Sequence, residues 1–149
     1  MTPRYTLVPS EFFSEQDAEN ILKEVVPLAE GEPLSFVQIP SHDAVLVYQG
    51  ERPVVYEMIL SLCKSGEYNK VVCCLRDGYL YLVIAQGDGL VLCNSFKAGD
   101  FTTLQYYVFL CLNRLQINPQ VSVLYFYPSL PEGFDAALAG RFKSVEVLR

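Results

Sequence analysis

The chain has 149 residues, the length of about one domain, and 51% of them are hydrophobic while 19% are charged. This composition is typical of a folded protein and excludes intrinsic disorder. The formal net charge of −6, with no basic cluster to offset it, argues against nucleic acid or an anionic membrane as a partner.

Two further features of the sequence concern the membrane and the redox compartment. No apolar run reaches the about 20 residues that span a bilayer, and MTPRYTLVPS lacks the apolar core of a signal peptide. The five cysteines are an odd number, and each lies within an apolar run. Because buried free thiols fit a reducing compartment, the sequence predicts a soluble, cytoplasmic protein.

The N-terminal part of the chain predicts short strands and helices in alternation. A strand is predicted over residues 5–8, and a helix over residues 14–26 with Ser14 as its N-cap. Strands follow at residues 35–39 and 44–48. Pro53 then opens a second helix, which Gly66 ends. The polar stretch KSGEYNK, residues 64–70, predicts a boundary between residues 1–66 and residues 67–149.

The C-terminal part predicts a meander of three strands and then two helix-strand pairs. The strands cover residues 71–75, 79–85 and 90–96, joined by the turns Asp77-Gly78 and Asp88-Gly89. Asp100 caps a long helix, and the apolar run SVLYFYP predicts a central parallel strand. A short helix over residues 132–140 and a strand over 144–148 complete the order β-β-β-α-β-α-β.

This order is that of the ribonuclease H-like unit, which is duplicated in actin and hexokinase. The segments YTLVPSEFF, VVCCLRDGYLYLVIAQGDGLVLCNSF and DFTTLQYYVFLCLNRLQINP resemble an uncharacterised Bacteroidetes family with an actin-like ATPase fold. The resemblance covers nearly the whole chain and implies an α/β fold with a mixed sheet. Because that family has two such units in tandem, this chain resembles its C-terminal part. Residues 1–66 would be a partial first unit with a connecting helix, and residues 67–149 a complete second unit.

The resemblance also implies an uncovered strand edge. The strand at residues 5–8 corresponds to the fourth strand of a first unit and the strand at 44–48 to the fifth. The fourth strand normally pairs with the first, which is not in this chain, so backbone groups between Tyr5 and Val8 would lack a partner. We expect a second copy of the chain or another protein to cover this edge. The alternative is that the N-terminal third rearranges and packs on the second unit.

The resemblance raises the question of ATP hydrolysis, and the residues argue against it. Catalysis in this fold needs a carboxylate on the first strand and a glycine turn with hydroxyl side chains that face the phosphates. Here the first strand is VVCCL, and Arg76, Asp77 and Gly78 form a turn without Ser or Thr. An Asp-Gly pair is also what a type I′ turn favours. The one candidate for a second phosphate loop, PEGF at residues 131–134, has a single glycine. We therefore expect no enzyme activity and no cofactor.

Asn94, Ser95 and Lys97, at the end of the third strand, are the remaining polar candidates. Together with the turn residues Arg76, Asp77 and Gly78 they would line a cleft between the units; alternatively, Asn94 and Ser95 only satisfy nearby backbone groups. A metal site is not expected, because His42 is the single histidine and no C-x-x-C pair occurs.

The sequence thus predicts a non-catalytic actin-like module that acts through protein-protein interaction or self-association. The alternative is a nucleotide-binding protein with an actin-like cleft and weak or no ATP hydrolysis, in which ATP and magnesium would lie near the six residues named above.

Overall fold

The computed structural model describes residues 3–148, and its strands form two separate sheets. The chain divides into two units, the first ending at Tyr56 and the second beginning at Glu57. This division comes earlier than the predicted boundary after residue 66, because most of the helix that follows Pro53 belongs to the second unit.

The first unit is a three-stranded antiparallel sheet with one short helix. Its strands are β1 (Tyr5–Pro9), β2 (Leu34–Ile39) and β3 (Ala44–Gln49), in the spatial order β1-β3-β2. The helix α1 (Ala18–Lys23) buries Ala18 and Leu22 against Val45 and Val47 of β3. Two single 3-10 turns precede α1, so this helix is shorter than the predicted residues 14–26, and the Ser14 side chain caps nothing by a hydrogen bond.

The topology of the first unit differs from that of a partial ribonuclease H-like unit. The strands expected as the fourth and fifth, β1 and β3, are antiparallel neighbours, with Thr6 opposite Val47. The fourth and fifth strands of the second unit are parallel, as described below. β1 is indeed an edge strand, but its partner is β3 of the same sheet, so one of its two edges is covered within the chain.

The second unit contains the predicted β-β-β-α-β-α-β order. After the helix α2 (Val55–Leu62), the chain forms β4 (Asn69–Arg76), β5 (Tyr79–Gln86), β6 (Gly89–Lys97), α3 (Phe101–Arg114), β7 (Val123–Phe126), α4 (Phe134–Leu138) and β8 (Ser144–Val147). The sheet order is β6-β5-β4-β7-β8. β4, β7 and β8 are parallel, whereas the β4-β5-β6 meander is antiparallel. The mixed sheet is the predicted one.

One turn of the meander differs from the prediction. The two residues at the tip of the β5-β6 turn are Gly87 and Asp88, since Gln86 pairs with Gly89 and Gly89 belongs to β6. Gly87 has a φ of 59°, which fits the first central position of a type II′ turn. A prediction of Asp88-Gly89 from the preferred dipeptide alone therefore places this turn one residue too far along the chain.

The core of the second unit lies between α3, α4 and one face of the sheet. Leu104, Val108 and Leu112 recur along α3 at helical spacing and are almost fully buried. They meet Leu82 of β5 and Leu138 of α4 in one cluster. Among the described residues, no helix is both long enough and apolar enough to cross a membrane.

Candidate functional site

The turn between β4 and β5 carries three of the six residues that the sequence singles out. Asp77 and Gly78 have φ angles of 54° and 80°, and Arg76 pairs directly with Tyr79. These are the features of a type I′ turn, which needs positive φ at both central residues. A Cβ atom added to Gly78 would meet nothing within 4 Å, so the backbone conformation, and not a lack of space, favours glycine there.

Lys97 joins this turn across the sheet. Arg76, Tyr79 and Lys97 are consecutive partners on β4, β5 and β6, so they form one row at the end of the sheet. The backbone N–H of Ala98 donates a hydrogen bond to the carbonyl oxygen of Gly78 at 2.9 Å, which fixes the end of β6 to the turn. Arg76 and Lys97 are exposed, so the row places one cation on each side of Tyr79.

Neither Asn94 nor Ser95 belongs to this row. Asn94 lies opposite Leu82 and Ser95 opposite Tyr81, so their side chains point to opposite faces of the sheet. Asn94 shares the face of the core residue Leu82 but is itself exposed, and its Oδ1 accepts the backbone N–H of Ser95 at 2.8 Å. Asn94 thus has the backbone-satisfying contact that was the alternative to a ligand role.

The strand β4, which precedes the turn, holds neutral thiols where an ATPase would need a carboxylate. Burial raises the pKa of Cys73, and the nearby thiols of Cys74 and Cys111 raise it further. Burial also raises the pKa of Cys74, although the charge of Arg76 acts in the opposite direction. The pKa of Tyr81 is raised by its burial and then by the Asp77 carboxylate. At neutral pH these groups are protonated and offer no anionic ligand to magnesium.

The candidate second phosphate loop and the single histidine both lie in local turn structure. Gly133 of the PEGF stretch has a φ of 86° and directly precedes α4, a helix of five residues. His42 lies beside Ser41, with 2.9 Å between Nδ1 and Oγ. Within residues 3–148, no group of three or more His, Cys, Asp or Glu side chains could hold a metal ion.

The exposed surface of α3 is not among the features that the sequence analysis singles out. Tyr106 is 61% exposed, whereas its neighbour Tyr107 stacks on Phe96, with 4.4 Å between ring centroids. A shallow depression of about 410 Å³ lies along this side of the helix, and its lining consists of Thr102, Gln105, Tyr106, Phe109, Leu110 and Asn113. The sequence contains one indication of this exposure. Tyr106 lies two residues from both Leu104 and Val108, which places it on the side of α3 opposite the buried face.

Comparison with known proteins supports the fold. Residues 49–137 match the family described as protein of unknown function (DUF3822). No curated protein matches the chain. Among solved structures, the chain is similar to a Bacteroides thetaiotaomicron protein with actin-like ATPase fold and unknown function, with a TM-score of 0.80 and 17% identity. It is also similar to a chain of the PilM-PilN type IV pilus biogenesis complex, with a TM-score of 0.54 and 14% identity.

Each of these two comparisons covers 98% of this chain and 65% of the other chain. This chain therefore spans less than two thirds of the length of these structures. At such low identity the similarity shows the fold alone, and it confirms the predicted actin-like ATPase fold.

Proposed function

The chain belongs to the DUF3822 family, and we propose that it is a non-catalytic actin-like module that acts by binding another protein. The observation that supports this proposal most is the end of β4. The strand reads NKVVCCLR, without a carboxylate, and its two cysteines are buried. The turn that follows keeps Asp77 and Gly78 for its own conformation. Both observations support a module that does not hydrolyse ATP.

The outer edge of β1 is the surface that we propose for the partner protein. Two backbone hydrogen bonds show which residues of β1 face β3. The N–H of Gln49 donates to the carbonyl oxygen of Arg4 at 3.0 Å, and the N–H of Ser10 donates to the carbonyl oxygen of Asp43 at 2.9 Å. Because backbone groups of a strand alternate in direction, the even-numbered residues of β1 face β3 and Leu7 faces the outer edge. An extended segment of a partner can pair there by strand addition.

Two further observations support this proposal. The PilM-PilN structure is a protein complex, so one protein with a similar fold assembles with another protein. All five cysteines are free thiols, which is the state expected of a protein that acts in the reducing cytoplasm.

Affinity capture from the cells that make the protein tests the β1 edge. Leu7→Pro removes the outward N–H without removing a hydrogen bond to β3, and Leu7→Ala is the matched control that keeps this N–H. We expect one specific set of proteins to be retained by the wild type and by Leu7→Ala and lost with Leu7→Pro. Retention of the same set by Leu7→Pro, with its fold intact by circular dichroism, would contradict the proposal.

Nucleotide binding without hydrolysis is the second candidate function. It is favoured by the row of Arg76, Tyr79 and Lys97, which offers two exposed cations to the phosphates of a nucleotide and an aromatic ring to its base. In this alternative Asp77 and Gly78 contribute the turn that approaches the phosphates. A calorimetric titration with ATP, ADP and magnesium separates the two candidates.

A further inference from the structure

We propose that two copies of this chain associate through antiparallel pairing of their β6 strands, so that two five-stranded sheets become one continuous sheet. This goes beyond the proposed function, because it uses a different edge and a different partner from β1. It rests on the position of β6, on the direction of its backbone groups and on the charges at its two ends.

β6 is a long edge strand that lacks most of the features by which proteins prevent an edge strand from pairing with another chain. It has nine residues and lies at the end of the order β6-β5-β4-β7-β8. From Leu90 to Phe96 it contains neither proline nor a charged side chain. Proteins usually protect such edges with Lys, Pro or very short strands. β1 ends in Pro9, β2 is flanked by Pro33 and Pro40, and β8 has only four residues, so these edges are better protected than β6.

The pairing pattern shows which backbone groups of β6 face outward. In a two-residue hairpin the residues that flank the turn, here Arg76 and Tyr79, exchange hydrogen bonds. Tyr79 and every second residue after it therefore face β4, and the residues between them face β6. It follows that the inward residues of β6 are Leu92, Asn94 and Phe96, and the outward ones are Cys93, Ser95 and Lys97. The hydrogen bond from the Ala98 N–H to the Gly78 carbonyl oxygen agrees with this assignment, because Ala98 is the next residue after Phe96 whose backbone groups should face inward.

A β-bulge limits the regular part of this edge. The register shifts between Ile84 and Ala85, whose partners are Leu92 and Leu90, so Val91 is the extra residue. A bulge interrupts pairing and bends the strand. The regular part of this edge is thus residues 92–97, and the edge continues beyond the bulge to Gly89, the first residue of β6. In this part Cys93, Ser95 and Lys97 offer three N–H groups and three carbonyl groups in a regular series.

The charges near the ends of β6 identify a second copy of the same chain as the occupant. Asp88 directly precedes the strand and Lys97 ends it, and both side chains are exposed. Within residues 3–148, neither side chain forms an ion pair. When two copies pair antiparallel about Cys93, residues 95–97 of each copy lie across from the bulge and the start of β6 in the other copy. Lys97 of each copy then lies next to Asp88 of the other, and symmetry produces this contact twice. A parallel arrangement would instead bring like charges together.

Size-exclusion chromatography with light scattering, run on the full chain over a range of concentrations, tests the pairing. Ser95→Pro removes an outward N–H and leaves the hydrogen bonds to β5 in place, since proline is tolerated on the outer side of an edge strand. Ser95→Ala is the matched control. We expect a dimer for the wild type and for Ser95→Ala and a monomer for Ser95→Pro. A wild-type monomer at every concentration, or a dimer that Ser95→Pro leaves intact, would overturn the proposal.

A charge exchange tests the orientation without depending on a proline substitution. Asp88→Lys and Lys97→Asp each bring like charges together at both contacts, so each should weaken dimerisation by about tenfold. The double variant D88K/K97D restores opposite charges only if the strands are antiparallel, and we expect its dissociation constant to return close to that of the wild type. A double variant as weak as the single ones would contradict antiparallel β6 pairing.

Discussion

Single residues determine the turn on which the question of ATP hydrolysis depends. Asp77 and Gly78 both adopt positive φ, a conformation that an Asp-Gly pair accepts without any ligand. The identity of these two residues is thus explained by the hairpin. The sequence alone also allows this dipeptide to form a phosphate-binding turn. An Asp-Gly pair is compatible both with a turn that binds phosphate and with one that only reverses the chain.

Replacement of Gly78 tests this backbone explanation. Gly78→Ala places a Cβ on a residue with a φ of 80° but meets no neighbouring atom within 4 Å. We expect the free energy of unfolding to fall by about 1–2 kcal/mol, the cost of a left-handed conformation for an L-residue. Gly99→Ala is the control. A Cβ at Gly99 also meets no atom within 4 Å, but the φ of Gly99 lies outside the positive region, so the free energy of unfolding should change by less than about 0.5 kcal/mol. Equal effects of the two substitutions in urea titrations would argue against conformation as the cause.

The five cysteines differ in exposure, and thiol labelling measures this difference. Cys63 is exposed, whereas burial raises the pKa of Cys73, Cys74 and Cys111 and raises that of Cys93 to about 12. Because the thiolate is the reactive form, we expect one fast thiol with Ellman's reagent in the native protein and five after unfolding. Cys63→Ser should abolish the fast phase. A fast phase that persists in Cys63→Ser would show that another cysteine is accessible.

At the scale of elements, α3 shows how a predicted cap works. Asp100 is the N-cap, and its Oδ1 accepts the backbone N–H of Thr103 at 2.8 Å. This hydrogen bond from the Thr103 N–H lowers the pKa of the Asp100 carboxyl below its ordinary value of 3.8. The lowered pKa means that the native state favours the carboxylate over the acid.

The Asp100 cap predicts a specific pH dependence of stability. Its contribution is fully present above the ordinary pKa of 3.8 and is lost as the pH falls through the lower pKa of the native state. Asp100→Asn keeps an acceptor oxygen but cannot ionise. We expect its urea midpoint to lie below that of the wild type at neutral pH, and the difference to disappear under acidic conditions. A difference that stays constant with pH would contradict this role of the charge.

The elements of the second unit are better predicted from sequence than those of the first. The ends of β4, β5 and β6 lie within two residues of the predicted ones, because runs of apolar residues bounded by Asp and Gly specify strands and hairpins locally. In the first unit, the apolar spacing through Val25 suggests a longer helix than α1, which ends at Lys23. Val25 and Val26 precede Pro27, and β-branched residues beside a proline favour the end of a helix.

At the scale of the whole molecule, strand order is the part that sequence reasoning cannot supply alone. The order β1-β3-β2 joins strands that are far apart in the chain, and no local pattern specifies that β1 pairs with β3. The identity of the edge strands follows from this order, so the β6 edge becomes visible only in the structure, whereas the edge at β1 was expected from the resemblance to a known family. The fold of the second unit could be predicted because its element order is that of a known unit.

The distinction between a binding module and a nucleotide site also belongs to the whole molecule. The actin-like ATPase fold is shared with a Bacteroides thetaiotaomicron protein of unknown function, so the fold does not decide the chemistry. The residues support the proposed binding module: β4 has buried thiols and no carboxylate, and the six candidate residues are divided between the two faces of the sheet and its end.

Isothermal titration calorimetry with ATP and ADP in the presence of magnesium tests the central claim most directly. A parallel titration of the variant Arg76→Ala/Lys97→Ala, which removes both cations of the row beside Tyr79, is the control for binding at this end of the sheet. For a non-catalytic protein-binding module we expect no saturable heat with either nucleotide for the wild type or the variant. Saturable binding of magnesium-ATP by the wild type, lost in the variant, would contradict the claim and establish the nucleotide-binding alternative.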